Sequence, residues 1–180
     1  FDGSLGSYTN IPSRTDVQRV VDYLGHSIQQ LMNLLFRLEN GDTVEFSEYV
    51  RLRYMSESKA LNQVTVVGLD AGEISLDTSR AACVSVISTD PFFLGPKPEA
   101  TELHKYRAVA MVGKVEVPTV GVVFVGNWIV ASGRNDGLAV SRSALKKGDK
   151  VIGIATTHSF NPSIKMIVVL LDASVGREAK

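Results

Sequence analysis

The sequence predicts a mainly β protein, in which a short-stranded β-barrel or sandwich domain is preceded by an N-terminal trimeric coiled-coil helix. Eight short segments rich in β-branched and aromatic residues follow residue 41, and turn-forming stretches separate them. Before these segments, one stretch places apolar residues alternately four and three positions apart, which is the heptad pattern of a coiled coil. The chain therefore divides into a lead-in linker at residues 1–14, a helix at residues 15–40 and a β domain at residues 41–180.

The ends of the predicted helix are indicated by signals that do not depend on the heptad. Residues 1–14 are rich in Gly, Ser, Asn and Pro and show no periodicity, which is typical of a linker. Thr15 followed three residues later by Gln18 fits a capping box, so we expect the helix to begin there. Gly41 follows Asn40 and suits a helix C-terminus, because glycine adopts the left-handed conformation that ends many helices.

All seven heptad core positions of this helix are aliphatic. They are Val21, Ile28 and Leu35 at position a, and Val17, Leu24, Leu31 and Leu38 at position d. A single amphipathic helix follows a period of 3.6 residues and drifts away from such a strict repeat. Val20 and Leu34 at position g and Met32 at position e widen the apolar face, which favours three helices over two. The alternative is one helix packed on the β domain, because a wide apolar stripe is typical of that arrangement as well.

The β domain is predicted from the alternation of strand segments and turn segments. Turn residues such as those of DAGE, DPFFLGPKPEA, GRNDG and KKGD separate the strands. Many short strands at this spacing favour a compact barrel or sandwich. The predicted strand segments are TVEFSEYVRL, NQVTVVGLD, ACVSVIST, YRAVAMVGKVEV, VGVVFVGNWIVAS, GLAVSR, DKVIGIATT and SIKMIVVLLD.

Composition disfavours several classes of function. The 180 residues carry 19 Lys and Arg against 19 Asp and Glu, so no excess charge indicates a nucleic-acid partner. No apolar run reaches the length of a membrane span. The one cysteine, Cys83, rules out a framework of internal disulfides. No His, Cys or carboxylate spacing indicates a metal, and no glycine pattern indicates a nucleotide, so neither a metal nor a cofactor is expected.

An ordered set of motifs after the helix resembles a known family. It resembles the C-terminal intramolecular-chaperone domain of phage neck appendages and tail fibres, the self-cleaving type classed with glutamic peptidases. The resemblance covers roughly residues 41–171. The segments that carry it are EFSEY, VSVISTDPFFLG, AVAMVGKVEV, GNWIVASG and DKVIGIA. Members have a D-x-A-E-Y motif at the first of these positions, where this chain has Glu45 and Ser47 in place of Asp and Ala.

This resemblance implies a role at the end of a long trimeric fibre, spike or appendage. Such a domain brings three copies into register, helps the β-rich shaft of the same chain to fold, and is often released by one self-cleavage. Its expected partners are its own copies and that shaft. Its expected location is the virion, and the host cytoplasm during assembly. Two alternatives stay open: a permanent structural cap without peptidase activity, and a tip that binds a host receptor.

The resemblance places the candidate catalytic carboxylates near the start of the β domain. Glu48 stands at the Glu of the family motif and Glu45 at its acidic residue, while Asp42 is a third candidate. Cleavage by carboxylates needs one group to take a proton from water and another to give a proton to the leaving amine. Positions 45 and 48 of a strand point to opposite faces, so the two would pair only across subunits or at a bend. The alternative is that all three are surface carboxylates without a catalytic role.

The expected cleavage site lies in the lead-in before Thr15 or just before Phe1.

The sequence favours other catalytic nucleophiles less than the carboxylates. Ser143 with Lys146 or Lys147 has the spacing of a Ser–Lys dyad but lies in turn-like sequence. Cys83 lies within an apolar strand segment, which predicts an inert, buried thiol.

Overall fold

The computed structural model describes Thr15, residues 18–25, Ile28, Gln29 and residues 44–171. The chain divides into two compact units, Phe1–Gly41 and Asp42–Lys180. In the first unit every described residue is helical, including Thr15, which the capping-box pattern placed just outside the helix. Among the described residues no helix is long and apolar enough to cross a membrane.

The apolar face of this helix is exposed where it is described. Val21, Leu24 and Ile28 are 54%, 52% and 57% exposed. The other predicted core positions lie outside the described residues, and these are Val17, Leu31, Leu35 and Leu38. The helix is therefore present, and the coiled coil stays a prediction.

The second unit is built from strands over its described residues. Short 3₁₀ turns at Met55–Glu57, Ala60–Asn62 and Leu103–Lys105 interrupt them. The strands are β1 (Glu45–Leu52), β2 (Val66–Asp70), β3 (Glu73–Ser75), β4 (Cys83–Val86), β5 (Phe93–Leu94), β6 (Tyr106–Val120), β7 (Trp128–Ala131), β8 (Ala139–Arg142), β9 (Val151–Ala155) and β10 (Lys165–Leu171).

Five of these strands close into a barrel. The pairing runs from β6 to β10, β9, β7 and β8, and returns from β8 to β6. All the pairs are antiparallel except β6–β8. Closure gives each of the five strands a paired strand on both sides, so none of them is an edge strand of the barrel. The predicted β-barrel is thus confirmed.

A second ring of strands shares β6 with this barrel. β6 pairs with β1, β1 pairs in parallel with β3, β3 pairs with β2, and β2 pairs with β4. A bridge between Ile87 and Val109 connects the end of β4 back to β6 and closes the ring. The 15 residues of β6 are long enough to serve both rings, with Tyr106–Gly113 facing β1 and Gly113–Thr119 facing β10.

The described residues form two apolar cores. The first joins the five barrel strands with β2 and β4 of the second ring, and its fully buried members include Val117, Ile129 and Val169. The second includes Leu61, Val67 and Ile74, which are 0% exposed. Because strand residues alternate between faces, the short β-branched segments of the sequence fill these cores with every second side chain.

The eight predicted strand segments each contain one strand, and two strands were missed. DAGE was assigned to a turn, yet β3 begins at Glu73. DPFFLGPKPEA was also assigned to a turn, yet Phe93–Leu94 pair with β1. Strands of three and two residues are too short to show alternation, so only their tertiary pairing defines them.

Candidate functional site

The candidate carboxylates lie on β1, and this strand separates them. Glu45 and Ser47 are buried, whereas Phe46 and Glu48 are exposed. The alternation therefore places Glu45 and Glu48 on opposite faces of the sheet, as expected from their spacing. Asp42, the third candidate, lies outside the described residues.

Glu45 is enclosed on the inner face of β1. It is 4% exposed, and the buried Ser88 hydroxyl donates a hydrogen bond to its Oε1 atom at 2.5 Å. A small cavity of about 60 Å³ lies beside this pair, and Asp90 and Glu116 are among the other residues that line it. Burial of a carboxylate is costly without polar partners, so this hydrogen bond helps to hold Glu45 in place.

Gly113 on β6 fixes the position of Glu45. The two residues are directly opposite in the β1–β6 ladder, and Gly113 has a φ of 113°, a conformation that L side chains rarely adopt. A Cβ atom at Gly113 would lie 2.8 Å from the Cα atom of Glu45 and would also clash with the carbonyl oxygen of Val44. Only glycine permits this close approach of the two strands.

Glu48 borders a separate and larger cleft. This cleft has a volume of about 570 Å³, and its lining includes Arg51, Tyr49, Tyr106 and a second carboxylate, Glu73. Arg53 forms an ion pair with Glu73, with 3.5 Å between Nε of Arg53 and Oε2 of Glu73. Among the described residues, Glu73 is therefore the carboxylate that shares this cleft with Glu48, and Glu45 does not line it.

Glu73 was not predicted as a site residue, although the DAGE segment that contains it is compatible with a tight hairpin. Ala71 and Gly72 both have positive φ, 50° and 78°, and they connect β2 to β3. Asp70 and Glu73 are paired across this two-residue connection. Two positive φ values in such a loop are typical of a tight hairpin, which the small residues of DAGE permit. A hairpin assignment for DAGE would have placed Glu73 in a strand.

An aromatic surface lies near Glu48 at the start of β1, on the face opposite Glu45. The rings of Phe46 and Phe93 stack with centroids 6.1 Å apart, and Phe92 meets Phe93 edge-on at 4.7 Å. The backbone N–H of Gly95 donates to the carbonyl of Ser47, and a Cβ at Gly95 would approach Cγ of Glu48 to 3.4 Å. The pairing of β5 with β1 thus places Phe93 beside Phe46, and the residue after β5, Gly95, beside Glu48.

The other candidate nucleophiles are poorly placed for chemistry. Ser143, Lys146 and Lys147 are exposed in the loop between β8 and β9, where the Lys146 N–H donates to the Asp149 carboxylate. Burial raises the pKa of the Cys83 thiol, which reduces the thiolate that a nucleophile needs. The described part of the chain contains no group of three His, Cys, Asp or Glu residues suited to a metal ion.

Comparison with known proteins gives no match, either to a family model or to a curated protein.

Proposed function

We propose that the protein is a trimerisation and folding module at the C-terminal end of a viral fibre, spike or appendage protein. The proposal also includes release of the module by self-cleavage. It draws on the ordered motifs of residues 41–171, on the mainly β fold, and above all on the exposed apolar face of the N-terminal helix.

The exposed helix face is the observation that carries the trimer. Val21, Leu24 and Ile28 occupy consecutive a, d and a positions, and each is more than half exposed in the single chain. An isolated helix of this length is marginal in water, since most helical stability comes from the packing of an apolar face. Two further copies of the same helix provide that packing through knobs-into-holes contacts.

The long-range strand pairing of the β domain supports a role for the proposed module in folding. β1 pairs with β6 across Glu45 and Gly113, and β6 pairs with β10 across Thr119 and Lys165. Pairing between distant segments is slow, because loop-closure entropy is lost before the contacts form, and it exposes edges that aggregate. Joining three chains through a helix raises their effective concentration for one another.

A matched pair of helix variants tests the trimer. Ile28→Asp introduces a charge at a heptad core position, and we expect it to reduce the mass measured by light scattering from that of a trimer to that of a monomer. Tyr23→Asp is the control, because Tyr23 is 72% exposed on the same helix and lies at heptad position c. A monomeric wild-type chain at high concentration would contradict the proposal.

Mass spectrometry tests the self-cleavage. The chain is expressed with the sequence that its gene encodes before Phe1, and a discrete cut is expected before Thr15 or just before Phe1. Glu48→Gln should abolish the cut, because an amide neither takes nor gives the required protons. Glu99→Gln, at an exposed loop position, should leave it intact.

Variants of two further carboxylates, measured in the same cleavage assay, identify the partner of Glu48. Loss of the cut in Glu73→Gln assigns the reaction to the cleft that Glu48 and Glu73 share, whereas loss in Glu45→Gln assigns it to a pair formed across subunits. An intact wild-type trimer argues for the alternative, a permanent structural or receptor-binding tip. Binding of the isolated trimer to host cells then separates the receptor-binding tip from the structural cap.

A further inference from the structure

After its first residue, Lys165, strand β10 is apolar on both of its faces. Its inner row, Ile167, Val169 and Leu171, is at most 5% exposed and belongs to the core of the barrel. Its outer row is also apolar, with Met166 and Leu170 40% and 44% exposed and Val168 half-buried. A barrel strand with one face in water usually alternates apolar and polar residues. The pattern of β10 is typical of a strand whose two faces are both covered.

Further exposed apolar side chains lie in the loops near the start of β10. Ile164 is 60% exposed, and Phe124 and Phe160 are 52% and 67% exposed. These two phenylalanine rings meet edge-on with centroids 5.8 Å apart, across the contact between the β6–β7 and β9–β10 loops. We name this surface the outer strip, and its members are Phe124, Phe160, Ile164, Met166, Val168 and Leu170.

The outer strip has a polar border on the β6 side. Lys114 and Glu116 lie opposite Leu170 and Val168 in the β6–β10 ladder, and both are exposed. On the β9 side, Leu170 lies opposite Ile154, which extends the apolar surface. An apolar centre with a charged border is the usual arrangement of a protein–protein interface.

The size of the outer strip fits an interface between subunits. With ~200 Å² for a whole large side chain, the exposed fractions amount to roughly 500 Å² of apolar surface. This area lies within the range of the largest apolar patch on a typical monomer, about 300–600 Å², and such a patch is often functional. A stable interface buries about 800 Å² on each partner, and about 65% of a homodimer interface is apolar. The outer strip can therefore supply the apolar part of one such interface.

We propose that the outer strip is a second self-association surface, through which the β domains of neighbouring copies bind one another. The occupant is another copy of this chain, because the strip carries no charge to select a charged partner and an apolar surface complements its own copy. A surface that lies along a symmetry axis meets its own copies and closes the assembly. This inference rests on the proposed function, since the helix would bring the copies together first.

Methionine oxidation tests the proposal in the wild-type chain without any substitution. Met166 lies in the outer strip, and Met55 lies in a 3₁₀ turn elsewhere on the domain with a similar exposed fraction, 49% against 40%. Exposed methionines oxidise to the sulfoxide under mild peroxide, whereas buried ones are protected. At concentrations where light scattering shows an assembly, we expect Met166 to oxidise at least tenfold more slowly than Met55. On dilution to monomer the two rates should converge.

Every other result of the oxidation experiment contradicts either the outer strip alone or both the outer strip and the helix-based trimer. Equal rates in a demonstrated trimer overturn the outer strip and leave the helix-based trimer intact. Protection of Met166 in a demonstrated monomer also overturns it, because the chain itself then covers the strip. A chain that stays monomeric with equal rates overturns both the strip and the proposed trimer.

Matched substitutions give a second measurement. Met166→Lys should weaken association of the full chain at least tenfold, measured by sedimentation equilibrium, whereas Met55→Lys should leave it unchanged. Both positions are exposed in the single chain, so circular dichroism should show the wild-type fold in each variant. Unchanged association in a folded Met166→Lys chain overturns the proposal.

Discussion

At the scale of single residues, two glycines with the same backbone freedom have different roles. Gly113 and Gly126 both have positive φ, 113° and 84°. Around Gly126 a Cβ atom would meet nothing within 4 Å, whereas at Gly113 it would clash with Val44 and Glu45 on the neighbouring strand. Conformation alone therefore requires glycine at Gly126, and conformation together with strand packing requires it at Gly113.

Alanine substitutions should separate these two effects. Gly126→Ala is expected to lower the free energy of unfolding by about 1–2 kcal/mol, the usual strain of a side chain in this region. Gly113→Ala is expected to lower it by more than ~3 kcal/mol, because steric overlap in a packed ladder adds to that strain. Denaturation in urea measures both. Equal losses in the two variants would show that β1 can move away from β6 at Glu45.

At the scale of elements, Arg107 connects β6 to the segment between β1 and β2. Its Nε atom donates to the carbonyl of Leu61 at 2.9 Å, and its Nη2 atom donates to the carbonyl of Ser58 at 2.9 Å. Leu61 is fully buried in the core of the second ring. The guanidinium thus satisfies backbone carbonyls of the short 3₁₀ turns that cover this core.

Arg107→Lys should weaken this connection without removing the charge. A lysine ammonium is a point donor on a flexible stem and does not reproduce the planar fork of arginine. We expect the free energy of unfolding to fall by about 1.5–3 kcal/mol, the usual value for hydrogen bonds from a charged group. Arg80→Lys is the control, because the Arg80 side chain is 88% exposed and surface substitutions usually change stability by less than about 0.5 kcal/mol. Similar small losses in both variants would contradict this role of Arg107.

A second feature at the scale of elements is the apolar outer row of β10. The sequence SIKMIVVLLD indicates a strand correctly, and its nearly continuous apolar run is typical of a strand covered on both faces. The barrel covers only the inner row. We propose that another copy of the chain covers the outer row, and the oxidation of Met166 at concentrations where the chain associates tests this.

At the scale of the whole molecule, two rings of strands share β6. β6 pairs with β1 along its first half and with β10 along its second half, so both cores depend on one strand. Most of these pairings join residues that are far apart in the chain, which is typical of a domain that folds slowly. The comparison of Ile28→Asp with Tyr23→Asp tests the proposal that the helix associates with its own copies.

The candidate site was only partly predictable. The opposite orientation of Glu45 and Glu48 followed from strand alternation, which is a local property. The cavity around Glu45 and the cleft that Glu48 shares with Glu73 did not follow, since they depend on which strands lie beside β1. Ser88 lies 43 residues from Glu45 in the chain, and no local pattern connects them.

By itself the sequence determined the mainly β class, the eight principal strand segments and the N-terminal helix, because these depend on periodicity and turn residues within a short window. Only the tertiary structure decided the closure of the barrel, the sharing of β6, the addition of β3 and β5, and the exposure of the outer strip. These features depend on pairing and burial between distant residues. Such contacts form when the whole domain closes, so no single segment of the sequence encodes them.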